Sequence, residues 1–296
     1  MGKSVVSVTH MADPGCPWAY SALPAITALR WRYGSQLDWR IVTIGLTETS
    51  EQYERRGYTP ASMAKVPLRF ARFGMPYAVG LRPRPLATGR ACRAVVAARE
   101  TRGEDRAYSV LRALSFAWFT TTLMLDEDEG ILQALTGADI GDAEAIVASI
   151  AHDATEEAYQ HDRAEARSAE GSPSSLQGRT AQTDGPERYT APTLFFERDG
   201  RVLEAGGHQP LGAYDVLIAN LAPELSVTDP AAEPLEVLQH LPDALATREV
   251  STVLAGHDEA PDDAGATSAL LELAASGEVA PKAFGTHALW RANPSE

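Results

Sequence analysis

The sequence contains little cysteine, no long apolar run and no signal-peptide pattern. Only Cys16 and Cys92 occur among 296 residues, so a framework of disulfides does not hold the fold together. This composition is typical of a reducing compartment, and we expect a cytoplasmic protein. The longest uncharged apolar stretch, residues 113–125, is shorter than the roughly 20 residues that a membrane-spanning helix needs. Residues 1–10 have no apolar run of signal-peptide length, so we expect no secretion.

Basic residues are also in short supply. The chain has 26 Lys and Arg against 40 Asp and Glu, which gives a formal net charge of −14 at pH 7. An acidic surface repels the phosphates of nucleic acids and anionic lipids, so we expect neither nucleic acid nor membrane as a partner. A small molecule or another protein is a better match as a binding partner for an acidic chain. With 44% hydrophobic and 22% charged residues, the rest of the composition is that of an ordinary globular protein.

The first part of the chain has the pattern of a strand, a helix and a second strand. Residues 4–10 alternate as a strand does, and the apolar residues within 17–33 recur at helical spacing. Residues 37–46 are rich in β-branched and aromatic side chains and predict the second strand. Two parallel strands joined through a helix form a right-handed unit. The sequence therefore predicts an α/β layer.

A long helical block interrupts this layer before it resumes. Residues 86–167 have an almost entirely helical pattern. Residues 193–196 and 201–204 flank a turn and predict an antiparallel hairpin, and residues 211–221 predict a closing helix. The domains predicted from this pattern are an α/β domain, a helical insertion and a C-terminal segment, at residues 1–85 with 181–225, 86–180 and 226–296.

The C-terminal segment has the pattern of a winged helix. Three short amphipathic helices, at residues 235–245, 248–255 and 267–275, precede a two-stranded ribbon that turns at Gly285. From residue 229 onward, three basic residues stand against twelve acidic ones, and the third helix has no Lys or Arg. Phosphate binding needs the opposite sign of charge. We therefore expect a small winged-helix-like domain that packs against the chain or binds another protein, not DNA.

Cys16 is the residue that most suggests chemistry. It lies in the string DPGCPWAY, which begins at Asp13, between the first predicted strand and the first turn of the following helix. A cysteine at a helix N-terminus faces unpaired N–H groups and the positive end of the helix dipole, which lowers the thiol pKa and favours a nucleophile. Pro17 suits the first helical turn because its missing N–H is not needed there. The alternative is a buried cysteine that packs as a small hydrophobic side chain.

Other candidate site residues carry weaker signals. Cys92 lies in a helical run beside alanines and valines, where core packing is the simpler interpretation. Arg82, Arg84 and Arg90 surround a proline-rich loop and could bind an anionic substrate, although a solvated basic face explains them equally well. The cysteines do not have the spacing of zinc ligands, and no dinucleotide fingerprint occurs. We expect no metal and no tightly bound cofactor.

Taken together, these motifs resemble the DsbA family. The resemblance rests on Cys16-Pro17-Trp18 after a first strand, the helical insertion, and the TAPT string around Pro192 before a hairpin. That family has a thioredoxin fold split by a helical domain, and mycothiol-dependent reductases and kappa-class glutathione transferases are its relatives. The resemblance covers residues 1–225. It implies that Pro192 is a cis-proline opposite the nucleophile and that the backbone of Ala191 pairs with a bound thiol or peptide.

One departure from the family pattern changes the expected chemistry. Dithiol members have a second cysteine three residues after the first, and this chain has Ala19 there. An adjacent thiol therefore does not resolve a mixed disulfide on Cys16. We expect a thiol–disulfide oxidoreductase with Cys16 as the catalytic residue, a small thiol such as mycothiol or glutathione as cosubstrate, and a substrate-binding surface made of Pro17, Trp18, Ala191 and Pro192. The alternatives are a small-thiol transferase or isomerase, and a catalytically inactive binding module.

Overall fold

The computed structural model describes residues 5–256 and 259–294. Its strands are β1 (Val6–Ala12), β2 (Leu37–Thr43), β3 (Thr180–Ala181), β4 (Arg188–Tyr189), β5 (Thr193–Arg198), β6 (Arg201–Gly206), β7 (Leu245–Ala246), β8 (Val279–Phe284) and β9 (His287–Ala292). Its α-helices are α1 (Pro17–Ser21), α2 (Leu23–Tyr33), α3 (Ser50–Arg55), α4 (Pro60–Met63), α5 (Val66–Phe70), α6 (Gly89–Arg102), α7 (Glu104–Thr120), α8 (Asp128–Gly137), α9 (Ala143–Ser149), α10 (Asp153–Ala166), α11 (Pro173–Leu176), α12 (Leu211–Leu221), α13 (Pro234–His240), α14 (Thr247–Leu254) and α15 (Asp263–Ala275).

The central sheet has four strands in the order β2-β1-β5-β6. Strand β1 is parallel to β2 and antiparallel to β5, with His10 opposite Ile41 on one side and Leu194 on the other. The predicted hairpin is confirmed, and β1 and β2 run parallel, which is the condition for the strand–helix–strand unit. The first strand begins and ends two residues later than predicted, and residues 1–4 lie outside the described residues.

The helix predicted from residue 17 to residue 33 is two helices, α1 and α2. Pro24 lies in the first turn of α2 and has no N–H to donate to Tyr20, so a continuous hydrogen-bond ladder is interrupted there. The shorter α1 carries Cys16 at its N-terminal boundary, and α2 is buried along most of its length. The break therefore separates a small helix at the candidate site from a structural one.

The helical block predicted from residue 86 to residue 167 is confirmed as α6 to α10. It joins the sheet through α10, whose buried Asp162 accepts a hydrogen bond from the backbone N–H of Thr43 at 2.8 Å. Its side chains form one apolar core with β1, β2 and α2. None of the helices in the described part of the chain is long and apolar enough to cross a membrane.

The C-terminal segment runs in the order α13, β7, α14, α15, β8, β9 and contains a three-stranded sheet, β7-β9-β8. The three predicted helices and the ribbon are present, but the first helix ends at His240 and not at residue 245, which lies in the unpredicted strand β7. Gly285 takes a φ of 62° at the ribbon turn. This is the element order expected of a winged helix; the assignment itself stays a prediction. The apolar core of the segment includes Ala28 and Trp31 of α2, so the segment packs directly on the rest of the chain.

Candidate active site at Cys16

The thiol of Cys16 is positioned by the turn between β1 and α1. The residue is the N-cap of α1, with an extended backbone at φ −88° and ψ 114°, and Pro17 follows at the first helical position. Its backbone N–H donates to the carbonyl of Asp13 at 3.1 Å, which closes the turn. The predicted placement of the cysteine at a strand–helix junction is confirmed.

The sulfur of Cys16 points at the loop that precedes β5. Its thiol donates a hydrogen bond to the carbonyl oxygen of Ala191, with Sγ and O 3.1 Å apart. The peptide bond between Ala191 and Pro192 is cis, as the family resemblance implied. Residues from the two ends of the α/β domain, 175 positions apart in the sequence, therefore meet at one place.

Burial changes the acidity of this thiol. Cys16 is only 7% exposed and packs among apolar side chains that include Met11 and Ile44. Burial and the neighbouring carboxylate of Asp13 raise the pKa of Cys16 to about 11, although the backbone N–H groups of Ala19 and Trp18 act in the opposite direction. The predicted lowering of the pKa is therefore wrong. The helix N-terminus does face the sulfur, but α1 is short and the loss of hydration outweighs it.

Asp13 is a buried carboxylate that holds the site together. It is 1% exposed and accepts hydrogen bonds from the backbone N–H groups of Gly15 and Leu46, both at 2.9 Å, and from the hydroxyl of Thr88 at 2.9 Å. Burial raises its pKa in spite of these donors. Asp13 was not predicted as a site residue; the available signal in the sequence was an acidic side chain at the end of an apolar strand.

An aromatic cluster covers one side of the site. The ring of Trp18 contacts those of Phe70, Phe73 and His208, with centroids 4.9, 5.6 and 5.8 Å away. The guanidinium of Arg69 lies 5.7 Å from the centroid of Trp18. Trp18 is partly exposed, as a residue that lines a binding surface must be. These aromatic partners of Trp18 were not predicted, because they come from distant parts of the chain.

A buried arginine, Arg188, also acts on the site. It belongs to β4, immediately before the loop with Ala191, and is 7% exposed. Its guanidinium donates to the carbonyl of Tyr189 at 3.0 Å and to the hydroxyl of Thr183 at 3.2 Å. Burial lowers its pKa, while the electrostatic interaction with Cys16 opposes that shift. A charged residue close before Pro192 was the only signal in the sequence.

The proline-rich loop does not present free arginines. Arg84 pairs with Asp126 and with Glu127, and Arg90 pairs with Asp128. Arg82 donates to three backbone carbonyls, those of Trp118, Thr121 and Leu123. Each of these arginines thus has partners within the chain, and their binding of an anionic substrate stays a prediction.

Cys92 is a core residue, as the helical pattern predicted. It is fully buried, and its sulfur lies 3.4 Å from a carboxylate oxygen of Asp13. Both cysteines are free thiols. Across residues 5–256 and 259–294, no group of three or more His, Cys, Asp or Glu side chains could hold a metal ion.

Comparison with known proteins agrees with this geometry. The model of the DSBA-like thioredoxin domain matches residues 8–185, more than half of the chain. The chain belongs to the DSBA-like thioredoxin domain family. Among curated proteins, none matches the sequence.

Two solved structures show that the DSBA-like fold extends over most of this chain. A candidate protein disulfide isomerase from Nitrosomonas europaea is 16% identical and superposes with a TM-score of 0.56, covering 74% of this chain and 98% of its own. A candidate DsbA oxidoreductase from Streptomyces coelicolor is also 16% identical, with a TM-score of 0.51 and coverage of 74% and 91%. At such identities the likeness concerns the fold alone.

Proposed function

We propose that this DSBA-like protein is a thiol-dependent oxidoreductase of a reducing compartment, the cytoplasm, and that Cys16 is its single nucleophile. The observation that carries the proposal is the 3.1 Å contact between the sulfur of Cys16 and the carbonyl of Ala191, beside a cis-proline. A disulfide that reaches Cys16 meets the backbone of Ala191 and the ring of Trp18. The cosubstrate is a small thiol such as glutathione or mycothiol, and no tightly bound cofactor is required.

The proposed cycle uses an external thiol because no second cysteine is available at the site. Ala19 occupies the place of a resolving cysteine, and Cys92 is fully buried. The thiolate of Cys16 attacks one sulfur of a disulfide, a new S–S bond forms, and the other half leaves as a thiolate that takes up a proton. A second small thiol then attacks the mixed disulfide, releases Cys16 and leaves as part of a new disulfide.

The raised pKa of Cys16 sets the direction of this chemistry. With a pKa of about 11, about one molecule in ten thousand carries the thiolate at neutral pH. That thiolate is a strong nucleophile, and a thiolate of high pKa leaves slowly, so the mixed disulfide persists once it has formed. A protein that does not stabilise its reduced thiolate is a poor oxidant. A raised pKa therefore favours reduction of disulfides over their formation, with a slow catalytic turnover whose rate depends on the substrate.

Intact-mass measurement after incubation with oxidised glutathione and with oxidised mycothiol tests the proposal. We expect a single adduct of one thiol that reduction removes, that persists in Cys92→Ser and that is lost in Cys16→Ser. The variant Cys92→Ser is the matched control because it removes the other, fully buried thiol while its hydroxyl keeps a donor for Asp13. Absence of an adduct from the wild type and from Cys92→Ser at both neutral and alkaline pH would refute the oxidoreductase proposal.

A small-thiol transferase or isomerase is the second candidate. It is favoured by the protonated state of Cys16, whose S–H already acts as a donor to Ala191 and could donate instead to a bound thiolate. In that case the product is a thioether conjugate or an isomer, no adduct forms on the protein, and Cys16→Ser keeps part of the activity because a hydroxyl also donates. A chain that forms neither adduct nor product is a binding module.

A further inference from the structure

The charges around Cys16 differ from those of the whole chain. The protein carries a net charge of −14, and most arginines that are not at this site are ion-paired, as Arg93 is with Glu48 and Glu156. Three arginines at the site have no acidic side chain within ion-pairing distance among the described residues. We call this group, Arg69, Arg72 and Arg188, the arginine rim.

Arg188 is the buried member of the arginine rim. It is buried to 7% exposure, yet it donates only to neutral oxygens, those of Thr183 and Tyr189. Burial of a charge is costly unless an opposite charge compensates for it. The acidic group Asp184 is already ion-paired with Arg163 and with Arg167. The guanidinium of Arg188 thus interacts electrostatically with Cys16, Asp13 and Asp184, but among the described residues no carboxylate forms an ion pair with it.

The two other members stack on rings of the aromatic cluster around Trp18. The guanidinium of Arg69 is 5.7 Å from the ring centroid of Trp18, and that of Arg72 is 4.8 Å from the ring centroid of Phe73. Both arginines are exposed. A guanidinium that stacks on a ring keeps its N–H edge available for a carboxylate. Beside the buried carboxylate of Asp13, three guanidinium groups therefore lie around the Cys16 region.

We propose that the site at Cys16 takes small disulfides that bear a carboxylate, and that Arg188 binds this carboxylate while Arg69 and Arg72 attract it. This inference rests on the proposed function and names its substrate class. In the reaction, the Cys16 sulfur forms a bond to one sulfur of the disulfide, the original S–S bond breaks, and the released half takes the proton of Cys16. Glutathione carries carboxylates and mycothiol carries none, so the rim favours a thiol of the first kind.

The charge of the disulfide is the variable to test. Dithiodipropionate, bis(hydroxyethyl) disulfide and cystamine carry negative, neutral and positive end groups on similar chains. We expect mixed-disulfide formation on Cys16, followed by intact mass, to be about tenfold faster with the anionic probe than with the neutral one and slowest with cystamine. Because exposed charges are screened by salt, the difference between anionic and cationic probes should shrink as salt is added.

Substitutions within the arginine rim show whether these residues cause the preference. Arg188→Gln should remove most of the advantage of dithiodipropionate over the neutral probe, and Arg188→Lys should restore part of it. Arg69→Gln, at an exposed position, should weaken the preference without touching the core, which keeps the test decisive if the Arg188 variants fold poorly. Arg201→Gln is the matched control, because it removes one exposed arginine at the far end of β6.

The outcomes separate this inference from the proposed function. If all three probes modify Cys16 at equal rates, or if Arg201→Gln changes the preference as much as Arg188→Gln and Arg69→Gln do, the arginine rim does not select the substrate. The oxidoreductase proposal then still stands. If none of the probes modifies Cys16, the proposed function itself fails. Faster reaction with cystamine than with dithiodipropionate would contradict the charge argument directly.

Discussion

At the scale of single residues, the reactivity of Cys16 is the balance of two opposed effects. The helix N-terminus directs backbone N–H groups at the sulfur, which favours the thiolate. Burial among apolar side chains and the carboxylate of Asp13 favour the thiol, and they prevail. A sequence motif shows the first effect and not the second, because burial depends on residues that are distant along the chain.

The raised pKa of Cys16 predicts a steep pH dependence of alkylation. The thiolate is the reactive form, so the rate with iodoacetamide should rise about tenfold per pH unit from about pH 7 to about pH 10. Peptide mapping by mass spectrometry measures it, with Cys16→Ser to show the contribution of Cys92. A rate that levels off below about pH 8 would mean an ordinary or lowered pKa.

The raised pKa of Cys16 also makes the stability of the folded protein depend on pH. Since the folded-state pKa of Cys16 lies above the unfolded one, the stability linked to this group is fully present below the unfolded pKa and is lost as the pH rises through the folded pKa of about 11. Circular dichroism at each pH therefore has to accompany the alkylation rates. An increase in rate that coincides with loss of the folded signal would report unfolding instead of thiol ionisation.

Asp13 should be more important for stability than its single charge suggests. Asp13→Ala leaves the N–H groups of Gly15 and Leu46 and the hydroxyl of Thr88 without their acceptor. At 1–3 kcal/mol for each buried unsatisfied donor, partly relieved by water, we expect a loss of about 3 kcal/mol in the free energy of unfolding. Urea denaturation measures this loss. An unchanged midpoint would show that these donors have other acceptors.

At the scale of elements, helices from three parts of the chain meet at one buried ion pair. Arg112 of α7 lies 2.5 Å from Glu249 of α14, and the hydroxyl of Thr27 in α2 donates to the same carboxylate at 2.6 Å. The side chains of Arg112 and Glu249 are 3% and 0% exposed. Glu249 therefore joins the C-terminal segment to the helical insertion through Arg112 and to the α/β domain through Thr27.

Removal of one partner of this ion pair should destabilise the protein more than removal of both partners. Glu249→Leu leaves the guanidinium of Arg112 buried and uncompensated, at an expected cost of about 4 kcal/mol. The double variant Arg112→Met with Glu249→Leu should recover most of that stability, because no buried charge remains. A double-mutant cycle by urea denaturation measures the coupling. Additive single and double effects would show that the pair is not coupled.

At the scale of the whole molecule, the acidic C-terminal segment acts as a structural part of the protein. Its apolar core extends into α2, where Trp31 is 6% exposed and donates its ring N–H to the carbonyl of Asp229 at 2.8 Å. The segment also covers Arg112 through the ion pair with Glu249. The segment therefore contributes to the packing of the rest of the chain.

A chain that ends at residue 225 should therefore be strongly destabilised. Truncation exposes Ala28 and Trp31 and leaves Arg112 without its carboxylate. We expect the thermal midpoint to fall by at least about 10 °C, with increased binding of a hydrophobic dye. Differential scanning fluorimetry and dye fluorescence measure both effects. Equal midpoints for the truncated and full chains would show that the segment is an independent unit.

The sequence by itself determined the order of elements and the position of Cys16. The strand–helix–strand start, the helical insertion, the hairpin and the C-terminal helices follow local periodicity, which survives without knowledge of the fold. The DsbA resemblance implied the cis-proline at residue 192, and the structure has it. The break at Pro24 was missed, although its cause, a missing N–H, is local.

Only the tertiary structure decided the environment of the thiol. The burial that raises the pKa of Cys16, the carboxylate of Asp13 and the unpaired cation of Arg188 arise where β1, α1 and the loop before β5 meet. It likewise showed that Arg82, Arg84 and Arg90 are already occupied. Hydration and electrostatic partners are properties of positions in space, and spacing along a chain does not encode them.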